Sequence, residues 1–192
     1  MAKLKIIVGC MWSGKTTELI KECERYKSIG KKVLYISPIV DNRNKKVVLG
    51  NYLSYNLGKI NTHNNNYVQC IKLESLNELE NNWEEILKWD VFGIDEAQFF
   101  NNLDIVKSLV NNNKIVIVSG LDGDFKQEKF GCILNLIPIC DDIVKLHALC
   151  KMCNDGTIGV FSKRIINNQD QTLIGGKDEY LAVCRKCLVK DS

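Results

Sequence analysis

No stretch of these 192 residues approaches the 18 continuous apolar positions a membrane-spanning helix needs, so no such span is expected. Charge of one sign is not in excess either. Lys and Arg number 26 against 23 Asp and Glu, a formal net charge of +3, too mild for a nucleic-acid-binding face. Lys-Lys pairs occur at 31–32 and 45–46, but no long basic block exists, and both read as solvated surface. There is no internal repeat and no long low-complexity tract. A cleavable signal at the N-terminus would remove the glycine-rich loop that follows Leu4–Val8, so that end is expected to be retained and the protein to be cytoplasmic. Nine cysteines, an odd total with five of them scattered (Cys10, Cys23, Cys70, Cys132, Cys140), fit a reducing compartment better than a disulfide scaffold.

What is present begins at residue 9. Gly9-Cys10-Met11-Trp12-Ser13-Gly14-Lys15-Thr16 has the spacing of a phosphate-binding loop, after an apolar run and before a helical pattern. Backbone N–H groups at a helix N-terminus cradle phosphate oxygens. Lys15 supplies a point charge to the outer phosphates, and the Thr16 hydroxyl suits Mg2+. A second apolar run, Val91 to Ile94, ends in Asp95-Glu96. Acids at the carboxyl edge of a parallel sheet sit beside such a loop. Asp95 comes directly off the strand and is the better magnesium ligand. Glu96 reaches further and is the better general base.

Strands are expected at Lys3–Val8, Lys32–Ser37, Tyr67–Ile71, Asp90–Ile94, Ile115–Ser119 and Ile143–Leu146, with helices at Lys15–Ser28, Leu76–Leu87 and Leu103–Val110. That alternation predicts a parallel sheet with helices on both faces. Residues 39–66, rich in Asn, Lys and Tyr, read mostly as a loop with one strand near Lys46–Leu49, placed to serve as a lid. The organisation expected is a nucleotide-binding α/β domain over 1–149 and a small domain over 150–192.

The small domain carries Cys150-x-x-Cys153 and Cys184-x-x-Cys187, thirty residues apart, around an expected strand at Gly156–Ile166. Four thiolates satisfy tetrahedral Zn2+ with no open position, a structural site that supplies folding energy to a unit with little core. His147 lies just before Cys150 and His63 in the Asn-rich stretch. His147 reads as a structural histidine, since four Cys suffice, and His63 as a solvated loop residue rather than one touching substrate.

The combination resembles the thymidine kinases of the small, zinc-containing type. The resemblance covers roughly residues 4–188 and rests on the loop at 9–19, Asp95-Glu96-Ala97-Gln98-Phe99-Phe100, Leu121 to Phe125 with Phe130-Gly131, and Ile174-Gly175-Gly176 with Tyr180. It implies a P-loop NTPase-like α/β fold and transfer of the gamma-phosphoryl of ATP to the 5′-hydroxyl of thymidine, or of deoxyuridine. It implies Glu96, Lys15 and Arg43 as catalytic residues. Gly9 to Thr16, Asp41, Asp95 and Gln98 fall on the donor and magnesium side. Met11, Phe99, Leu121, Phe125, Phe130, Ser162 and Tyr180 fall on the nucleoside pocket, with Leu173, Ile174 and Gly175 approaching the base through backbone groups. A homotetramer or a dimer is implied, with neither a stable nucleic-acid partner nor a membrane.

Three positions depart from the family pattern: Cys10 stands where Pro is frequent, His63-Asn64-Asn65-Asn66 where the lid often carries an acid and an arginine, and Ser162 where Thr is common. Two other functions compete with the leading one. A nucleotide sensor would bind triphosphate without transfer, and a zinc-knuckle ATPase would respond to polynucleotide.

Overall fold

A computed structural model describes residues 2–39, 45–48, 54–61, 67–173 and 178–189, with 45–48, 54–57 and 61 as backbone. Its centre is an eight-stranded sheet. The strands are β1 (Lys3–Gly9), β2 (Val33–Pro38), β3 (Lys45–Val48), β4 (Ser54–Asn61), β5 (Tyr67–Leu73), β6 (Val91–Ile94), β7 (Ile115–Gly120) and β8 (Asp142–Leu146), in the spatial order β3-β4-β5-β2-β6-β7-β1-β8. From β5 to β8 every pairing is parallel.

The central strands β1, β2, β6 and β7 are buried on both faces, and their side chains divide by alternation. Leu4, Ile6 and Val8 of β1, Leu34 and Ile36 of β2, and Val116 and Val118 of β7 join one core. Ile7, Tyr35 and Ile117, from the same strands, join the other. Helix α1 (Lys15–Lys27) closes the second core with Leu19 and Cys23, and helix α3 (Asp104–Asn111) closes the first with Ile105, Val106 and Leu109. Two covered faces explain the near-continuous apolar runs in the sequence.

The expected all-parallel sheet is corrected to a mixed one, because β3–β4 and β4–β5 pair antiparallel. Within 39–66 the strand expected near Lys46–Leu49 is present as β3, and the loop expected around it is corrected, since it also contains β4. Five residues separate β3 from β4, and five separate β4 from β5. Connections that short join antiparallel strands, whereas a parallel crossover needs a dozen or more residues. The lid stretch at His63–Asn66 lies outside the described residues.

The helix expected over Leu76–Leu87 is a 3-10 segment, Leu76–Asn82, followed by the single α-turn α2, Trp83–Ile86. Ser75 and Glu78 cap its start reciprocally, Ser75 Oγ accepting from Asn77 N at 3.2 Å and Glu78 Oε1 from Ser75 N at 2.9 Å. Asn81-Asn82, poor helix formers, close the 3-10 segment where the α-turn begins. A further 3-10 segment, Ile133–Ile139, was not expected.

Beyond the sheet lie β9 (Ala148–Leu149), β10 (Ile158–Gly159), β11 (Phe161–Arg164), β12 (Tyr180–Val183) and the short helix α4 (Arg185–Val189). The single strand expected over Gly156–Ile166 is divided at Val160. β10 pairs with β9, and β11 pairs with β12. This unit has a small core of its own around Cys150, Val183, Cys187 and Leu188.

Candidate active site

The phosphate-loop sequence lies between β1 and α1, where two backbone choices shape it. Gly9 has φ +147°, and a Cβ there would collide with the Leu146 carbonyl oxygen. Gly14 caps α1 in the left-handed region at φ 84°, and no side chain caps the helix start. The first-turn N–H groups therefore face the loop without a side-chain acceptor, the arrangement that favours an anion. Lys15 is buried, and its Nζ donates to the Cys10 carbonyl at 2.7 Å, as Ser13 Oγ does at 2.8 Å. Burial lowers the Lys15 ammonium from its ordinary value, opposed by the nearby Glu96 and Asp95 charges.

Asp95 follows β6 directly. Its carboxylate accepts from Thr16 Oγ1 at 3.0 Å and from Ser119 Oγ at 2.5 Å. β7, which carries Ser119, lies between the β6 and β1 strands, so its hydroxyl completes the bridge. Burial, together with the Glu96 charge, pushes the Asp95 carboxyl up to about 6, although both hydroxyls favour its ionised form. Glu96 takes φ 52°, a costly conformation for a residue with a Cβ. Gln98 orients it: Gln98 Nε2 donates to Glu96 Oε2 at 2.6 Å, while Gln98 Oε1 accepts from Leu121 N at 3.0 Å.

Glu96 and Gln98 line a cavity of about 250 Å³. Its apolar walls are Met11, Phe99, Leu121, Phe125, Phe130, Leu173 and Tyr180, with Ser162, Asp124 and Gln171 as further polar groups. Phe99 and Phe130 meet edge to face at 5.6 Å between ring centres. A pocket of this size, largely apolar with a few convergent polar groups, suits a small molecule.

The C-terminal unit is fastened to the phosphate loop by three consecutive residues. Cys10 Sγ donates to the Gly159 carbonyl at 3.3 Å, Met11 N to Ser162 Oγ at 3.0 Å, and Trp12 Nε1 to the Tyr180 carbonyl at 3.3 Å. The donor loop and one wall of the cavity are thus a single hydrogen-bonded surface. Ser162 serves it through its hydroxyl, which threonine would also supply.

The thiols of Cys150, Cys153, Cys184 and Cys187 all lie within 4.8 Å of one another. Cys153 Sγ is 3.7 Å from that of Cys184 and 3.4 Å from that of Cys187. Sulfurs tetrahedrally placed around zinc at its usual bond length stand about 3.8 Å apart, so the cluster has the size and donor set for that ion. His147 is not part of it.

Of the site residues expected from sequence, ten line this cavity: Met11, Glu96, Gln98, Phe99, Leu121, Phe125, Phe130, Ser162, Leu173 and Tyr180. Lys15, Thr16 and Asp95 meet at the loop. Asp41, Arg43, Ile174 and Gly175 lie outside the described residues. Sequence reasoning passed over Ser119, Asp124, Arg164 and Gln171. Ser119 had a readable signal, a hydroxyl ending an apolar strand whose carboxyl edge faces the phosphate loop. The others depend on long-range contacts.

Residues 2–188 match the protein family described as Thymidine kinase. A thymidine kinase of Yaba monkey tumor virus is 41% identical over 188 residues, covering 97% of this chain and 94% of the viral protein. Thymidine kinase 1 of Dictyostelium discoideum is 36% identical over 190 residues, 98% of this chain and 78% of that protein. A thymidine kinase of Bacteroides fragilis is 36% identical over 187 residues, 96% and 86% respectively. With a family match over almost its full length and relatives from virus, amoeba and bacterium at this identity, the chain belongs to the thymidine kinase family.

Proposed function

We propose that this protein is a P-loop NTPase-like kinase that transfers the gamma-phosphoryl of ATP to the 5′-hydroxyl of thymidine, giving dTMP and ADP. The observation that carries this reading is the junction of two sites: a largely apolar cavity of about 250 Å³ is lined by Glu96, and the neighbouring Asp95 is bonded to Thr16 of the phosphate loop and close to Lys15. Thymidine supplies a flat base for the aromatic walls and a hydroxyl for Glu96.

In this reading Glu96 accepts the 5′-hydroxyl proton, with Gln98 holding the carboxylate at a fixed rotamer. The 5′-oxygen forms a bond to the gamma-phosphorus as the bond to the β–γ bridging oxygen breaks, its electron pair leaving with ADP. Lys15 and the uncapped first turn of α1 stabilise the oxygens of the transferring group. The hydroxyl–carboxylate pair of Thr16 and Asp95 suits magnesium, which when bound neutralises phosphate charge. Arg43 and Asp41 are proposed for the same end of the site on the family resemblance.

The four thiols are proposed to hold a structural zinc ion, closing the base of a small domain over 150–192 against a nucleotide-binding domain over 1–149. A homotetramer in the cytoplasm is the proposed state, with light scattering as its test.

The function is tested by incubating the protein with labelled ATP and thymidine, deoxyuridine or deoxycytidine in parallel. Transfer to thymidine, and more weakly to deoxyuridine, is expected. ATP binding without transfer to any of the three would overturn the reading and favour a nucleotide sensor.

A further inference from the structure

Arg164, at the end of β11, is buried, and its guanidinium spends its donors on residues 168–171 and on Tyr180 of β12. Nη1 donates to the Asn168 carbonyl at 2.9 Å, to Asn168 Oδ1 at 3.3 Å and to the Asp170 carbonyl at 2.6 Å. Nη2 donates to the Gln171 carbonyl at 3.3 Å and to Tyr180 Oη at 2.5 Å, and Nε to the same hydroxyl at 3.2 Å. Every one of these acceptors is neutral. The face of the cation lies 3.8 Å from the centre of the Phe125 ring.

Arg164 lines no part of the cavity, but the groups it holds do. Phe125 and Tyr180 are walls. Because the Tyr180 hydroxyl accepts from the guanidinium, its own proton is directed elsewhere, and it donates to the Leu173 carbonyl at 3.0 Å. Leu173 is another wall. A chain of donors thus runs from a buried cation through a phenol to the backbone of that wall. Such chains polarise one another and favour one geometry.

We propose that Arg164 is a positioning residue for the nucleoside. It holds the backbone of residues 168–171 and sets Phe125, Tyr180 and Leu173 for the base. The proposal deepens the thymidine kinase reading and rests on it. The task needs a planar fork with five donors, which an ammonium of equal charge lacks.

The test compares wild type, Arg164→Lys and Tyr180→Phe for KM and kcat with thymidine and with ATP. Arg164→Lys should raise the thymidine KM by about 10–100-fold with the ATP KM changed less than about threefold, the split expected when nucleoside positioning alone is lost. Tyr180→Phe should raise the same KM by about 3–10-fold, and the double variant should fall short of the product of the two, because both break one chain. Should Arg164→Lys not fold, Tyr180→Phe decides alone, and an unchanged thymidine KM overturns the proposal. An Arg164→Lys enzyme with wild-type thymidine KM, or one whose ATP KM rises equally, overturns it while wild-type activity leaves the kinase reading intact. A wild type inactive on thymidine overturns both.

Discussion

The two halves of the site are built by different means. At the phosphate end, Lys15, Thr16, Asp95 and Ser119 issue from the ends of β1, β6 and β7 or the first turn of α1. Those strands are buried on both faces, so a residue at a strand end has almost no freedom. At the base end, Ser162, Leu173 and Tyr180 sit on short strands and loops of a unit with four buried core residues, fastened by side-chain hydrogen bonds, a guanidinium and four thiols. In the proposed reading, chemistry falls where the scaffold is most deeply buried, and recognition where a few bonds hold the backbone in position.

The difference predicts which damage each half tolerates. The largest effect is expected at the phosphate end: Glu96→Gln keeps size and the contact to Gln98 but removes the base, and turnover should fall about 10²–10⁴-fold. A titration of ATP binding on the same variant should give near-wild-type affinity. Near-normal turnover would remove Glu96 from the role of base.

At the base end, Cys187→Ser leaves three thiols for the ion. Elemental analysis should find one zinc per wild-type chain and less in the variant. The thymidine KM should rise by about tenfold or more as the unit loosens, with ATP binding less affected. Equal loss of ATP and thymidine binding would erase the distinction between the halves.

A third effect is one of stability and runs the other way. The Asp95 carboxyl titrates near 6 when folded against an ordinary 3.8. The folded protein therefore keeps this proton at pH values where the unfolded chain has lost it. Stability falls as pH rises from about 4 to 6 and stays reduced above. In magnesium-free buffer at pH 8, Asp95→Asn should be more stable than wild type by roughly 2–3 kcal/mol while losing activity. Denaturant melts at pH 4 and pH 8 check this; a gain no larger at pH 8 than at pH 4 would contradict it.

The smallest effect concerns the thiols. Burial pushes Cys23 up to about 12 and Cys70 up to about 11. Iodoacetamide at pH 8 should leave both untouched in the native protein while labelling the half-buried Cys132 and Cys140. Mass spectrometry of the digested protein reads the result.

The same contrast separates what was legible in the sequence from what was not. The loop at 9–16, the acids at 95–96 and the two cysteine pairs could be read because their chemistry depends on short spacing. The strands around them were legible for a related reason, since double burial makes them apolar throughout. β4 was not, because Ser54–Asn61 mixes Asn, Tyr, Gly and Lys with few apolar residues, and its strand form comes from pairing with β5. The 3-10 segment at Ile133–Ile139 was hidden by a locally unpunctuated apolar sequence until Pro138. Arg164 was illegible because its partners, Phe125 and Tyr180, are brought to it by the fold.

In the proposed reading one cavity brings thymidine to the acid beside the phosphate loop. This is tested most directly by a crystal structure with thymidine and a non-hydrolysable ATP analogue. The predicted result has the base between Phe125 and Tyr180, the 5′-oxygen within hydrogen-bond reach of the Glu96 carboxylate, and the gamma-phosphate on the Lys15 side of that oxygen. Thymidine bound outside this cavity, or bound with its 5′-oxygen turned away from Glu96, would contradict it.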